Sequence, residues 1–199
     1  ASMGPPALVM VFEIPDEDQV FDEDEIQRKQ DERDNMMAKL RKLELNVEQQ
    51  INRNGDKLFL KISAPDDMLQ RRAEQRGIRL QLDIDKFGGA MCAFSRKLYR
   101  VTQQTCFAPP ADGCQPGVFS SLVQLDIADE VVRSEPWDDG TGMNEPINPE
   151  ELMEEGVIVP NGYFLLHYER ARAKLLVDWA AAYLAPQPLE DVRAYFGEK

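Results

Sequence analysis

The chain has 199 residues, with 23 Lys and Arg against 36 Asp and Glu, and its formal net charge is −13. This acidic balance excludes binding to nucleic-acid phosphates and polybasic attachment to anionic lipid, because both need clustered positive charge. Apolar residues make up 43% of the sequence, enough for a buried core, and no apolar run reaches the roughly 18 residues that would span a bilayer. The composition therefore predicts a soluble acidic protein of one domain, or of one domain with an extension.

The start of the chain and its cysteines indicate a reducing, cytosolic compartment. Residues 1–6 are interpreted as an expression scar or disordered start around a native Met3, because no apolar segment of a signal peptide follows. The chain has three cysteines, an odd number, and none of them are in C-x-x-C spacing: Cys92, Cys106 and Cys114. Free thiols are therefore favoured over a disulfide between two of them.

Residues 7–62 alternate between strand and helix patterns. Residues 7–14 form a β-rich apolar run closed by Pro15, and helix-forming residues with an acidic start extend from there to Lys42. Residues 43–51 and 57–62 then predict two strands, and Asn54-Gly55 between them is typical of a hairpin. An alternative extends the first helix through Val47 and leaves both the alternation and the Asn-Gly turn unexplained.

A second helix and a further strand complete the predicted core at residues 7–85. The helix opens at Pro65 with two acidic residues and ends at Gly77. Residues 78–84 alternate strictly between apolar and polar, which is typical of a half-buried strand. The order β-α-β-β-α-β predicts an α+β, ferredoxin-like antiparallel sheet with both helices on one face.

The remaining residues predict an irregular loop region at 86–117 and a helical extension at 118–199 that packs as one domain with the core. Ser120 or Ser121 is expected to cap the first helix of the extension, and Asn148 with Pro149 the second. Further helices are expected at residues 169–184 and 189–196, after an extended stretch at 157–166.

No residue pattern predicts catalysis, a cofactor site or a metal site. The acidic loops do not match the ligand spacing of a calcium-binding EF-hand. His167 is the one histidine, too few for an ordinary zinc site, and its apolar neighbours Leu166 and Tyr168 favour a structural role. Gly88-Gly89 lacks the lysine of a phosphate-binding loop. A small hydrolase built on His167 is a further hypothesis, and the chain is otherwise predicted not to be an enzyme.

The last thirteen residues resemble a motif of the anoctamin family, the calcium-activated chloride channels and phospholipid scramblases. Residues 187–199 are similar to the family's Q-P-L-x-x-(I/V)-R-x-Y-F-G-E-K motif, which stands just before the first transmembrane helix. The matching family positions at this membrane junction include Gln187, Pro188, Leu189, Arg193, Tyr195, Phe196, Gly197, Glu198 and Lys199.

Shorter stretches resemble the same family in the same order. Residues 164–167 are similar to F-P-L-H, residues 148–157 to N-R-L-L-x-N-G-V, and residues 61–65 to the start of (K/R)-I-x-A-P-W. Asp66 replaces the usual tryptophan of the last motif, and residues 86–118 match no motif of the family. The resemblance therefore touches most of residues 8–199 and is typical of a distant member.

The resemblance implies a cytosolic N-terminal regulatory and dimerisation domain of ferredoxin-like type, without catalytic chemistry of its own. It implies a homodimer in the full-length protein, contacts with the transmembrane and C-terminal parts of the same protein, and a membrane next to the C-terminus. Calcium is expected only in the transmembrane part, and the domain is expected on the cytoplasmic side of the plasma membrane or an endomembrane. The alternative is a stand-alone soluble ferredoxin-like module that binds a protein or small ligand.

Overall fold

The computed structural model describes residues 7–14, 23–102, 106–110, 117–133, 146–166 and 169–181, together with Leu189 and Val192. In chain order the elements are β1 (Ala7–Glu13), α1 (Glu23–Lys42), β2 (Asn46–Ile51), β3 (Lys57–Ser63), α2 (Asp66–Gln75), β4 (Arg79–Gln81), α3 (Ile84–Phe87), β5 (Met91–Ala93), α4 (Arg96–Val101), α5 (Ser121–Arg133), α6 (Pro149–Glu154), β6 (Tyr163–Leu166) and α7 (Glu169–Ala181). No helix among these residues is long and apolar enough to cross a membrane.

The chain divides into two compact units. The sheet unit comprises Ala7–Ala64 and Ala128–Leu166, and the helical unit comprises Pro65–Ile127 and His167–Lys199 with the first residues of the chain. The division falls within α5, so the two units do not coincide with the predicted division into 7–85, 86–117 and 118–199. That the extension packs as one domain with the core stays a prediction.

The four-stranded antiparallel sheet of the sheet unit has the strand order β2-β3-β1-β6. In central β1, Leu8 stands opposite Ile62 of β3 on one side and opposite Leu165 of β6 on the other. Every β1 residue from Ala7 to Phe12 is buried, and this strand forms the centre of the core. The last strand lies beside the first, as in a ferredoxin-like sheet, and the predicted α+β fold class is confirmed.

The prediction that residues 78–84 form the fourth strand of this sheet is wrong. The strand covers only Arg79–Gln81, with Leu82 in an isolated bridge to Phe107, and it pairs with β5 in a separate two-stranded sheet of the helical unit. Asp83 ends the strand because its side chain accepts a hydrogen bond from the Lys86 N–H at 3.0 Å and caps α3. Alternation of apolar and polar residues indicates a strand but does not specify its partner, and β6 takes the place beside β1.

The irregular region predicted at residues 86–117 contains regular structure, so that prediction is wrong for its described part. β5 and α4 both lie there, and they are too short for hydrophobic periodicity to indicate. Around them, buried aromatic rings pack with centroids 4.9 to 6.5 Å apart. These rings belong to Phe94, Tyr99, Phe107 and Phe119. The aromatic cluster forms the core of the helical unit together with buried residues of α2 and α5.

The helix–hairpin pattern after β1 is confirmed, and the alternative helix through Val47 is wrong. α1 ends at Lys42, and Glu44 adopts a left-handed conformation with φ of 58° that turns the chain into β2. The β2–β3 hairpin turns at Gly55, whose φ of 82° favours glycine. The Asn52 N–H donates to the Lys57 carbonyl at 3.0 Å and closes this turn.

The later helices follow their predicted caps. The Ser120 hydroxyl accepts from the Val123 N–H at the start of α5, and the Asn148 side chain accepts from the Glu151 N–H at the start of α6. α7 confirms the helix predicted from Glu169 as far as Ala181. Of the helix predicted at 189–196, Leu189 and Val192 are helical, and its other residues lie outside the described ranges, as do residues 1–6.

Candidate interaction surfaces

β6 forms one edge of the four-stranded sheet and has an apolar, uncharged surface. Its sequence is Tyr163-Phe164-Leu165-Leu166, without a charged residue or proline. Phe164 is 40% exposed, Leu165 39% and Leu166 41%. Natural edge strands are usually protected by charge, proline or a covering element, because their unpaired backbone groups can pair with another chain. β6 shows none of the sequence devices, which makes it a candidate binding edge.

The hydrogen bonds to β1 determine which backbone groups of β6 face outward. The Val11 N–H donates to the Gly162 carbonyl at 2.8 Å, which is one of the two bonds of a hydrogen-bonded pair; the Gly162 N–H donates to the Val159 carbonyl at 2.7 Å instead. Hydrogen-bonded and non-hydrogen-bonded pairs alternate along an antiparallel ladder. Phe164 therefore directs its N–H and C=O toward β1, while those of Leu165 point away from the sheet. No other strand of the described ranges pairs with this outward backbone of Leu165.

β2 forms the other edge and differs in side-chain chemistry. Its exposed residues include Glu48, Gln49 and Gln50, and Ile51 at its end is 58% exposed. The Gln49 amide donates to the Met37 sulfur at 3.0 Å, a contact with a weak acceptor. A charged, amide-rich strand is a well-solvated edge, so β2 is the less suitable surface for pairing.

A hydrogen-bonded network positions the start of β6. The Tyr163 hydroxyl donates to Asp129 Oδ1 at 2.5 Å, and the same oxygen accepts from Arg133 Nε at 2.9 Å. Arg133 also reaches Glu150 Oε2 at 2.8 Å and lies 5.1 Å from the centre of the Tyr163 ring. The network joins β6 to the ends of α5 and α6, so the edge strand has a fixed support.

The electrostatics of this network favour its observed protonation state. Burial raises the pKa of the Tyr163 hydroxyl well above its ordinary value, and its hydrogen bond to Asp129 adds to the effect. The hydrogen bonds from Arg133 lower the pKa of Glu150. A neutral phenol and an ionised Glu150 are therefore the stable forms near pH 7. No proton transfer to a substrate follows from this arrangement, because the groups are occupied with one another.

α7 of the helical unit presents a second exposed apolar surface. Leu175 is buried, whereas Leu176 is 70% exposed and Trp179 48% exposed. Residues three apart on a helix lie on the same side, so Leu176 and Trp179 are neighbours on the helix surface. Apolar side chains grouped in this way mark a candidate contact surface.

A groove of about 310 Å³ lies between α1 and α6 in the sheet unit. Met36, Pro146, Ile147 and Leu152 supply its apolar lining. Polar and charged side chains supply the remainder, namely Glu32, Asn35, Lys39, Asn148, Glu151 and Glu155. Among the described residues, no three Asp, Glu, His or Cys side chains are arranged to hold a metal ion.

The predicted membrane-junction residues are described at one position only. Leu189 is 70% exposed, which places its side chain on the surface. Gln187, Pro188, Arg193, Tyr195, Phe196, Gly197, Glu198 and Lys199 lie outside the described residues, as do His167 and Cys114. Cys92 and the buried Cys106 are free thiols. The β6 edge was missed at the sequence level, although the absence of charge in residues 163–166 could have indicated it.

Comparison with known proteins agrees with the resemblance carried by the sequence motifs. The family model described as the anoctamin dimerisation domain matches residues 7–157, which is more than half of the chain. The match includes β1, β2 and β3, both predicted core helices and α6, and it stops before β6. A comparison with curated proteins gives no significant match. Because this family model matches more than half of the chain, the chain belongs to the anoctamin family through its dimerisation domain.

Proposed function

We propose that this chain is the cytosolic N-terminal regulatory and dimerisation domain of an anoctamin-like calcium-activated ion channel or phospholipid scramblase. The observation that carries the proposal is the match of residues 7–157 to the anoctamin dimerisation domain. The motif at residues 187–199 supports it, because the family has this motif immediately before its first transmembrane helix. The domain would then lie on the cytoplasmic side of the membrane and form a homodimer within the full-length protein.

The domain's role in this proposal is mechanical and not catalytic. A folded domain biases a conformational equilibrium when its contacts differ in free energy between the two states. The exposed apolar residues of β6 and α7 are surfaces through which such contacts can form, with a second copy or with the membrane part of the same protein. Calcium ligands and the conduction or lipid pathway belong to the transmembrane part in this proposal.

Reconstitution of the full-length protein tests the proposal. The protein, purified with the sequence that its gene encodes after Lys199, is placed in vesicles that report halide flux and transfer of a fluorescent lipid between leaflets. We expect at least one of the two activities to rise with calcium, and we expect vesicles with the 199-residue chain alone to show neither. Full-length protein without calcium-dependent transport of either kind would contradict the proposal, as would a gene that encodes no membrane helices.

A further inference from the structure

We propose that Asn54 is a site of spontaneous deamidation in the folded chain, and that the fold protects Asn161 from the same reaction. Each of these asparagines is followed by a glycine, at Asn54-Gly55 and at Asn161-Gly162. Asparagine is a thermolabile residue, and a following glycine favours its reaction because no side chain shields the glycine nitrogen. The two pairs are alike in their local chemistry, so a difference between them comes from the structure around each.

The reaction is an intramolecular attack followed by hydrolysis. The backbone nitrogen of the glycine loses its proton to solvent base and attacks Cγ of the asparagine side chain. A C–N bond forms, the bond from Cγ to Nδ2 breaks, and the amide leaves as ammonia, which produces a cyclic succinimide. Water then opens the ring at either carbonyl. The product is aspartate in the ordinary backbone, or isoaspartate, in which the backbone passes through the side chain. Water is the one co-reactant.

The β2–β3 hairpin leaves Asn54 accessible to this attack. Asn54 and Gly55 are both exposed in the turn. A Cβ at Gly55 would meet nothing within 4 Å, so there is room for the asparagine side chain to approach the glycine nitrogen. The Gly55 N–H donates to the Asn52 carbonyl at 3.2 Å, at the long end of the ordinary range. A single exposed bond of this kind opens at a small cost in free energy, and opening releases the nitrogen.

The turn before β6 instead fixes the backbone of the second pair. The Gly162 N–H donates to the Val159 carbonyl at 2.7 Å, and the Gly162 carbonyl accepts from the Val11 N–H at 2.8 Å. The Val159 N–H donates in turn to the Val11 carbonyl at 3.0 Å. Gly162 is buried, and a Cβ there would lie 2.6 Å from the Val159 oxygen. Attack on Asn161 therefore requires this turn to separate from the buried central strand, which costs far more free energy than opening of an exposed turn.

Deamidation at Asn54 changes the hairpin in two ways. Either product places a new carboxylate two residues from Asp56, which already carries a carboxylate that accepts from the Asn52 side chain. Isoaspartate also lengthens the backbone of a turn that is closed by the bond from the Asn52 N–H to the Lys57 carbonyl. Like charge and added backbone length both oppose this closure, so we expect the modified hairpin to be less stable than the original one.

Peptide mass spectrometry of the aged chain tests the proposal. The 199-residue chain is incubated at mildly alkaline pH, digested at mildly acidic pH, and analysed for aspartate and isoaspartate at both asparagines. We expect Asn54 to react at least about tenfold faster than Asn161, since about 1.4 kcal/mol of difference in opening free energy already gives this factor. The matched control is the same chain in guanidinium chloride, where both turns are unfolded and the two rates should become similar.

Gly55→Ala provides a variant that changes the attacking residue alone. Its methyl group shields the nitrogen, so reaction at Asn54 should slow while the rate at Asn161 stays as it is. Equal rates at the two asparagines of the folded chain would overturn the inference, as would reaction at Asn54 in the denaturant only. A ratio of rates that guanidinium chloride leaves unchanged would also overturn it, because neighbouring residues and not the fold would then cause the difference. So would an Asn54 rate that Gly55→Ala does not lower.

Discussion

The two edge strands of the sheet have similar positions and different surfaces. β2 carries Glu48 with neighbouring glutamines, whereas the residues of β6 from Phe164 to Leu166 are apolar and partly exposed. Within the described part of the chain, both strands pair on one side only, so each has a row of backbone groups without a strand partner there. The difference makes β6 the candidate edge for binding a partner, and β2 the better solvated edge.

The two edges also depend on different parts of the chain for their position. β2 is joined to β3 by a short hairpin, so local turn geometry determines its register. β6 follows β3 only after about a hundred residues, and the contacts of Tyr163 with Asp129 and Arg133 connect it to the ends of distant helices. The local edge should therefore tolerate loss of tertiary contacts better than the distant one.

The largest expected loss of stability comes from a substitution in the centre of the sheet, which is compared here with one in the edge strand β6. Leu8 of β1 is fully buried, and its opposite residue Leu165 in β6 is 39% exposed. Leu8→Ala should lower the free energy of unfolding by about 2–5 kcal/mol, because it removes transfer free energy and leaves a cavity. Leu165→Ala should cost less than about 1.5 kcal/mol in the monomer, since much of its side chain already contacts solvent.

Urea unfolding followed by far-ultraviolet circular dichroism measures both variants at one dilute protein concentration. Dilution is needed because dimer formation would add stability in proportion to protein concentration. If Leu165→Ala costs as much as Leu8→Ala under these conditions, β6 is a core strand of the monomer and not an open edge.

The second effect compares the glycines that precede or follow each edge strand. A Cβ at Gly162, just before β6, would lie 2.6 Å from the Val159 carbonyl oxygen, whereas a Cβ at Gly55 in the β2–β3 hairpin would meet nothing within 4 Å. Gly162→Ala should therefore cost about 1–3 kcal/mol through steric conflict. Gly55→Ala should cost about 1 kcal/mol, because its φ of 82° strains an alanine.

The same unfolding measurement ranks these two variants. The steric conflict at Gly162 displaces the turn that starts β6, so amide exchange of Phe164, whose N–H faces β1, should speed up as well. An equal loss of stability in both variants, with unchanged exchange in β6, would show that the two turns constrain their strands alike.

Local sequence signals predicted the part of the sheet around β2. The acidic start of α1, the Asn54-Gly55 turn and the alternation in β3 each act over a few residues, and hydrophobic period and turn chemistry report such features directly. The same signals misplaced the fourth strand. Residues 79–81 have strand alternation, but nothing local distinguishes pairing with β5 from pairing with β1.

The β6 edge and its support could not be predicted for a related reason. Tyr163 and Asp129 are 34 residues apart, and Arg133 and Glu150 are 17 apart, so no short motif contains either pair. The two residues of each pair become neighbours only after α5, α6 and β6 have packed. The membrane-junction motif at residues 187–199 was recognised by resemblance, and its role stays a prediction.

The third prediction tests the network that supports β6. Tyr163→Phe removes the hydroxyl that donates to Asp129 and should lower the free energy of unfolding by about 0.5–1.5 kcal/mol at pH 7. Folding raises the pKa of Tyr163 above its unfolded value of about 10, so the folded state binds the proton more tightly. This contribution is complete below pH about 10 and declines as the pH rises beyond it.

Denaturant titrations at pH 7 and at alkaline pH measure the two parts of this effect. Tyr163→Phe should show a shallower alkaline loss of stability than the parent chain. Tyr99→Phe is the comparison variant, because burial also raises the pKa of Tyr99 but this residue lies in the helical unit. An alkaline profile that Tyr163→Phe leaves unchanged would show that the hydroxyl does not couple β6 to Asp129.

The smallest expected effect concerns the outer end of the same network. Glu150 accepts from Arg133 on the surface, and such exposed pairs contribute below about 1 kcal/mol. Because Arg133 lowers the pKa of Glu150 in the folded state, the contribution is present above the unfolded value of about 4.3 and is lost as the pH falls below it. Glu150→Gln should therefore be less stable than the parent chain at pH 7, and it should lose less stability than the parent chain as the pH falls.

Glu154→Gln is the control variant on the same helix, because Glu154 is an exposed carboxylate for which the described residues show no ion pair. It should lose stability in acid as the parent chain does. If the two variants have the same acid profile, Arg133 holds β6 through Asp129 and the Tyr163 ring alone, and the support of the open edge ends at α5.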